Sequence, residues 1–128
     1  MESKKFSKPM SAQLVFDLVV SHLAIQGRRS IDEGGWCVYG EVGGLQCAVG
    51  CLLPADSLAR RREGTVTRVQ ALGLLPSGLE PHVNMLSKLQ LVHDRSPTKE
   101  DVIKDLYVIA RTYNLNDRFI PLITKWEY

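Results

Sequence analysis

Residues 43–56 read GGLQCAVGCLLPAD, and the fold turns on how this stretch is taken. It holds a glycine pair, two cysteines four positions apart (Cys47 and Cys51), an apolar run and a proline. Just upstream, Trp36, Val38 and Tyr39 have the β-branched and aromatic character of a strand, and Gly40, Gly43 and Gly44 supply turn chemistry. The spacing predicts one small antiparallel β-hairpin near residues 36–47, with Gly43 and Gly44 taking the positive φ of its turn. From Cys47 onward the residues are small and apolar, which suits a short buried helix better than a pleat. Pro54 ends it, because proline disfavours a helical residue before it. Gly50 then serves close packing of that short helix.

Outward from this corner the chain reads as helices. Residues 1–10 are polar and basic (Lys4, Lys5, Lys8) and read as a flexible arm, leaving 11–128 as a single globular domain. Ser11 is a helix cap, followed at near-helical period by Leu14, Val15, Leu18, Val19, His22, Leu23 and Ile25, with Gly27 as the stop. Asp56 caps a further turn, and Thr65 starts a short helix that ends at Gly73. From Pro81 to Asp94, Val83, Leu86, Leu89 and His93 share one face, with Met85 and Val92 beside it. Ser96 followed by Pro97 predicts a cap with proline at the first helical position. The helix behind it places Val102, Ile103, Leu106, Ile109, Ala110 and Tyr113 on one side, and Asn114 closes it. A last short helix runs from Asn116 through Phe119, Leu122 and Ile123, interrupted by Pro121. The expected class is α+β, mainly α, with about four to six helices and the one hairpin.

Composition narrows the function. The 128 residues are 45% hydrophobic and 23% charged, ordinary for a folded domain and unlike a disordered chain. Sixteen basic residues against fourteen acidic ones give a net charge of +2, too balanced to indicate nucleic-acid binding by charge alone. Three cysteines cannot pair fully within one chain. The opening residues lack the apolar core of an export signal, and no apolar stretch approaches the roughly twenty residues of a membrane helix. A cytoplasmic protein with reduced thiols and no membrane association is the expectation.

Taken together, the series FDLVVSHLAIQGRRS, WCVYGEVGGLQCAVGCLLPAD, EG, LSKLQLVHD and IARTYNL resembles a family of small phage and bacterial proteins. That family carries a Cys-x-Tyr strand, a Gly-Leu-x-Cys-Ala-Val-Gly-x-Leu-Ile-Pro-Asp core, a Glu-Gly pair and a Leu-Gln-x-x-His-Asp helix. The resemblance spans residues 14 to 115, and the block from Cys47 to Pro54 is its most specific part. The chain departs by inserting Ala55 before Asp56, and over residues 58–62. The resemblance implies an origin and a fold rather than a reaction, and a phage setting implies a protein that disables or redirects a host machine.

Three kinds of site are weighed on the residues. Cys37, Cys47, Cys51 and His93 form an acceptable structural zinc set, yet no C-x-x-C knuckle is present and the block is otherwise apolar. Cys47 with His93 gives a nucleophile–base pair, since a thiol at a helix start is activated. Against it, Asp94 adjoins His93 along a helix, where neighbouring side chains diverge and do not orient one another. Free cysteines often act as small buried hydrophobes, so Cys47 and Cys51 are expected to pack, reduced, beside Val49 and Leu52. Neither a cofactor nor a metal is expected. Arg28 and Arg29, with Arg60, Arg61 and Arg62, form the densest cationic groups and suit phosphate or carboxylate. The expected activity is stoichiometric binding that inhibits or redirects a host protein complex. A nucleotide or nucleic-acid binder and a small thiol enzyme are the alternatives.

Overall fold

The computed structural model describes residues 10–28, 48–52, 73 and 75–128. The first helix, α1 (Ala12–Gln26), opens at Ser11, whose hydroxyl oxygen accepts the Leu14 N–H at 3.1 Å. This satisfies one of the orphan donors of the first turn. Gly27 closes the helix at φ +66°, with its N–H bonded to the Leu23 carbonyl at 2.8 Å. Both ends lie where the sequence placed them. The buried face is rotated from expectation: Val15, Phe16, Val19, Val20 and Leu23 enter the core, whereas Leu14, Leu18 and Ile25 are exposed. Helix α1 is apolar on two sides, so periodicity fits either one. The core takes the side bearing Phe16, which offers the largest apolar area for burial.

A 3-10 turn, Glu80–His82, leads into α2 (Val83–Arg95), and the His82 ring bonds back to the Met10 carbonyl. Met85, Leu86, Leu89, Val92 and His93 of α2 are buried on the expected face. The third helix, α3 (Lys99–Thr112), starts two residues later than its signal implied. Thr98 is its cap: Oγ1 accepts the Asp101 N–H at 3.2 Å and donates to Asp101 Oδ2 at 2.8 Å. Ser96 is already committed, because its N–H ends α2 on the Val92 carbonyl and its own carbonyl accepts the Trp126 indole N–H at 3.0 Å. Val102, Leu106, Ile109 and Ala110 face inward, with Ile103 and Tyr113 half-buried against them. Asn114 closes α3 in the left-handed region at φ +54°. Leu115 N–H then reaches the Ala110 carbonyl at 2.7 Å and Asn114 N–H the Arg111 carbonyl at 3.2 Å. These are the two bonds of a Schellman ending.

The terminal segment runs beside α1. At one end the Gln13 side chain clamps the backbone of Asn116, accepting its N–H at 2.7 Å and donating to its carbonyl at 3.1 Å. At the other end Glu127 N–H bonds the Gly27 carbonyl at 3.0 Å. Between these points Ile120, Ile123 and Trp126 drop into the core. One apolar cluster thus joins α1, the 48–52 corner, Leu75, Leu79, α2, α3 and the C-terminal segment.

The α+β expectation is corrected. Among the described residues there are three α-helices, short 3-10 turns and no strand, and Arg28 with Glu127 forms only an isolated parallel bridge. Four to six helices are therefore not shown. Two expected short helices shrink to single 3-10 turns, Gly50–Leu52 and Ile120–Leu122. Of the first, the described residues are 48–52, and they hold this one turn. In the second, Asn116 Oδ1 accepts the Arg118 N–H at 2.8 Å, a side-chain turn that competes with helix formation. The hairpin expected near residues 36–47, the helix begun by Thr65 and the arm over 1–9 lie outside the described residues.

Replacing Thr98 by Ala is expected to cost about 1 kcal/mol through loss of the cap. Replacing Ser96 by Ala is expected to cost at most about half of that, since Ser96 acts through its backbone. Urea denaturation of the two variants measures the difference, and equal losses would return the cap to Ser96.

Candidate functional site

The corner that carries the cysteines meets α2 through a single side chain. Gln90 is 5% exposed on the inner face of α2, between Leu86 and His93. Its Oε1 accepts the Val49 N–H at 3.0 Å, and its Nε2 donates to Asp94 Oδ1 at 2.8 Å. A backbone N–H can only donate and a carboxylate oxygen can only accept, so both ends of the amide have fixed roles. Flipping it would set donor against donor and acceptor against acceptor.

Asp94 Oδ1 also receives Nδ1 of His93 at 2.6 Å. The expectation that Asp94 does not orient its neighbour is corrected here. Both side chains lean toward the helix N-terminus, and the short carboxylate meets the ring edge there. His93 is fully buried, and its ring lies edge-on to Trp126 with centroids 6.0 Å apart at 79°. The Trp126 N–H continues the chain of contacts to the Ser96 carbonyl. Polar contacts thus run from Val49 through Gln90 and Asp94 to His93, and an edge-on ring contact leads on to Trp126, which bonds the Ser96 carbonyl. The sequence reading missed Gln90 and Trp126. A polar residue at the centre of an otherwise apolar helical face was the available signal for Gln90.

The other sequence-derived site residues fall as follows. Cys51 is half-buried rather than buried, and its thiol donates to the Ala48 carbonyl at 3.1 Å. Val49, Gly50 and Leu52 are buried around it, as packing predicts. Among the described residues no group of three His, Cys, Asp or Glu side chains is placed to hold a metal ion. Cys37 and Cys47 lie outside the described residues, as do Arg29, Arg60, Arg61 and Arg62. Arg28 is exposed and pairs with Glu127 at 3.9 Å, beside the point where the C-terminal segment meets Gly27. Such an exposed pair contributes little to stability.

A second feature was not foreseen. Between α2 and α3 lies an open groove of about 330 Å³. Ile109 forms part of its floor and is almost fully buried, whereas Leu91 and Val108 on its walls are 49% and 50% exposed. Among the described residues no helix is long and apolar enough to cross a membrane. The chain matches no family model, no curated protein and no solved structure.

Replacing Gln90 by Met removes both bonds at nearly constant volume and strands the Val49 N–H and an Asp94 lone pair. The expected cost is about 1–3 kcal/mol. Hydrogen exchange should quicken at the Val49 amide more than at amides in the middle of α3. An unchanged Val49 exchange rate would show that the corner is held by other means.

Proposed function

We propose that this protein acts by stoichiometric binding, without turnover, inhibiting or redirecting a host machine to which it docks. The observation that supports binding over thiol chemistry is the enclosure of His93. A general base must come within hydrogen-bond reach of the proton it removes, directly or through one water. His93 has no solvent-exposed surface, its Nδ1 is engaged by Asp94, and Trp126 stands against its ring. Those are the surroundings of a histidine that registers packing.

The resemblance of the Cys47–Pro54 block to small phage and bacterial proteins supports a partner in a host cell. Arg28, exposed at the edge of the fold, belongs to the proposed contact surface with Arg29, Arg60, Arg61 and Arg62. Arginines there can lay their stems on a partner while the planar heads pair with carboxylate or phosphate.

Reversing the charges of Arg60, Arg61 and Arg62 is expected to leave the melting temperature within a few degrees of wild type. The same change should weaken partner capture from host lysate, and raised salt should mimic it. Nuclease treatment should leave the captured partner in place if the partner is protein. The inhibitory effect should saturate at a fixed ratio to the target. Sub-stoichiometric action that disappears in a well-folded Cys47→Ser protein would overturn binding and establish the thiol enzyme.

A further inference from the structure

The α2–α3 groove carries an arrangement that neither the arginine clusters nor the core explains. On its α2 wall stand Lys88, Leu91 and Arg95, spaced i, i+3 and i+7, so that all three share one helical face. On its α3 wall stand Asp105 and Val108, with Ile109 at the base. Leu91 and Val108 are half-exposed apolar residues on the two walls, with Lys88 and Arg95 flanking Leu91 along α2 and Asp105 beside Val108 on α3. Among the described residues Lys88, Arg95 and Asp105 take part in no ion pair. Lys88 instead rests over the Tyr113 ring, 5.7 Å from its centroid. Among the described residues, then, two cations on the α2 wall and one anion on the α3 wall stand outside any ion pair.

Building on the binding reading, we propose that this groove receives an amphipathic helix of a protein partner, with acidic residues along the edge that meets α2. The charge pattern selects that occupant. Lys88 and Arg95 are seven residues apart, or about 10.5 Å along the helix axis. A helix lying alongside α2 places two acids at the same interval, with apolar side chains between them to cover Leu91 and Val108. Asp105 on the opposite wall favours a basic residue on the far edge, which fixes the rotation of the incoming helix. A small molecule fits this feature poorly, because the groove is open to solvent and would leave much of such a ligand uncovered.

The test uses the full chain and two capped sixteen-residue helical peptides with the same leucine stripe. One peptide carries Glu at two edge positions seven apart, and the other carries Lys there. Fluorescence anisotropy at low salt is expected to show the Glu-edged peptide binding at least tenfold more tightly. The double variant K88E/R95E is expected to reverse that preference. Leu91→Asp is expected to weaken the Glu-edged peptide more than tenfold while its thermal melt stays near wild type, since Leu91 is half-exposed. Equal affinity for the two peptides, or an unreversed preference in K88E/R95E, overturns the proposal. So does a dimer of the free protein that Leu91→Asp converts to monomer, because the occupant would then be a second copy. Capture of the host partner separates the two readings. A partner held at a fixed ratio by K88E/R95E as well as by wild type leaves stoichiometric binding standing and rejects the groove.

Discussion

One side-chain amide sets the register of the core. Gln90 lies within an apolar face, and its two ends bind groups that tolerate no exchange: a backbone donor of the 48–52 corner and a carboxylate of its own helix. Apolar burial drives collapse without direction, since area removed from water counts alike for many packings. A buried hydrogen-bonded amide discriminates among those packings, because any shift of the corner along α2 leaves orphaned polar groups in a dry interior. Asp94, His93 and Trp126 extend the same constraint to the end of the chain. The glycine- and alanine-rich corner lets this happen. Ala48 and Val49 are fully buried and small enough for the backbone to approach the α2 face closely.

A second set of contacts fixes the C-terminal segment along α1. Gln13 grips the Asn116 backbone, Arg118 reaches Asp17 at 3.4 Å, and Glu127 bonds to Gly27. The helix is thereby flanked along its length and tied at both ends. Trp126 arrives between α2 and the α3 start because the segment is pinned on either side of it, and its indole N–H finds the Ser96 carbonyl. That bond also explains the capping arrangement of the α2–α3 turn. With Ser96 committed through both its backbone groups, Thr98 is left to begin α3.

What the core does not use defines the surface available for function. The wall residues of the α2–α3 groove sit on helices whose other faces are held by Gln90, His93 and the aliphatic cluster, so the groove is preformed. Preformed surfaces lose less entropy on binding than surfaces that must order themselves. His93, the residue whose type most strongly evokes catalysis, lies within the constraint network. Its chemistry there is directional hydrogen bonding and edge-on aromatic contact, both of which reward burial.

Local chemistry alone determined several elements. Ser11 and Gly27 bound α1, the period of Leu86, Leu89 and His93 marks α2, and Asn114 ends α3, because caps and amphipathic periods depend on neighbours within one or two turns. The small apolar residues after Cys47 likewise mark a packed corner, where Ala48, Val49, Gly50 and Leu52 are buried. It did not decide the orientation of α1, since two apolar stripes satisfy the same period and only competition for the core selects the Phe16 side. Nor did it decide between Ser96 and Thr98 as a cap, or mark Trp126 as the residue against His93. Those choices rest on partners far away in the chain: Gln90 meets Val49 across 41 residues, and Trp126 meets Ser96 across 30. The groove between α2 and α3 is of the same kind. Leu91 and Val108 read as ordinary exposed positions on two separate helices, and only the packing of those helices makes them the two walls of one site.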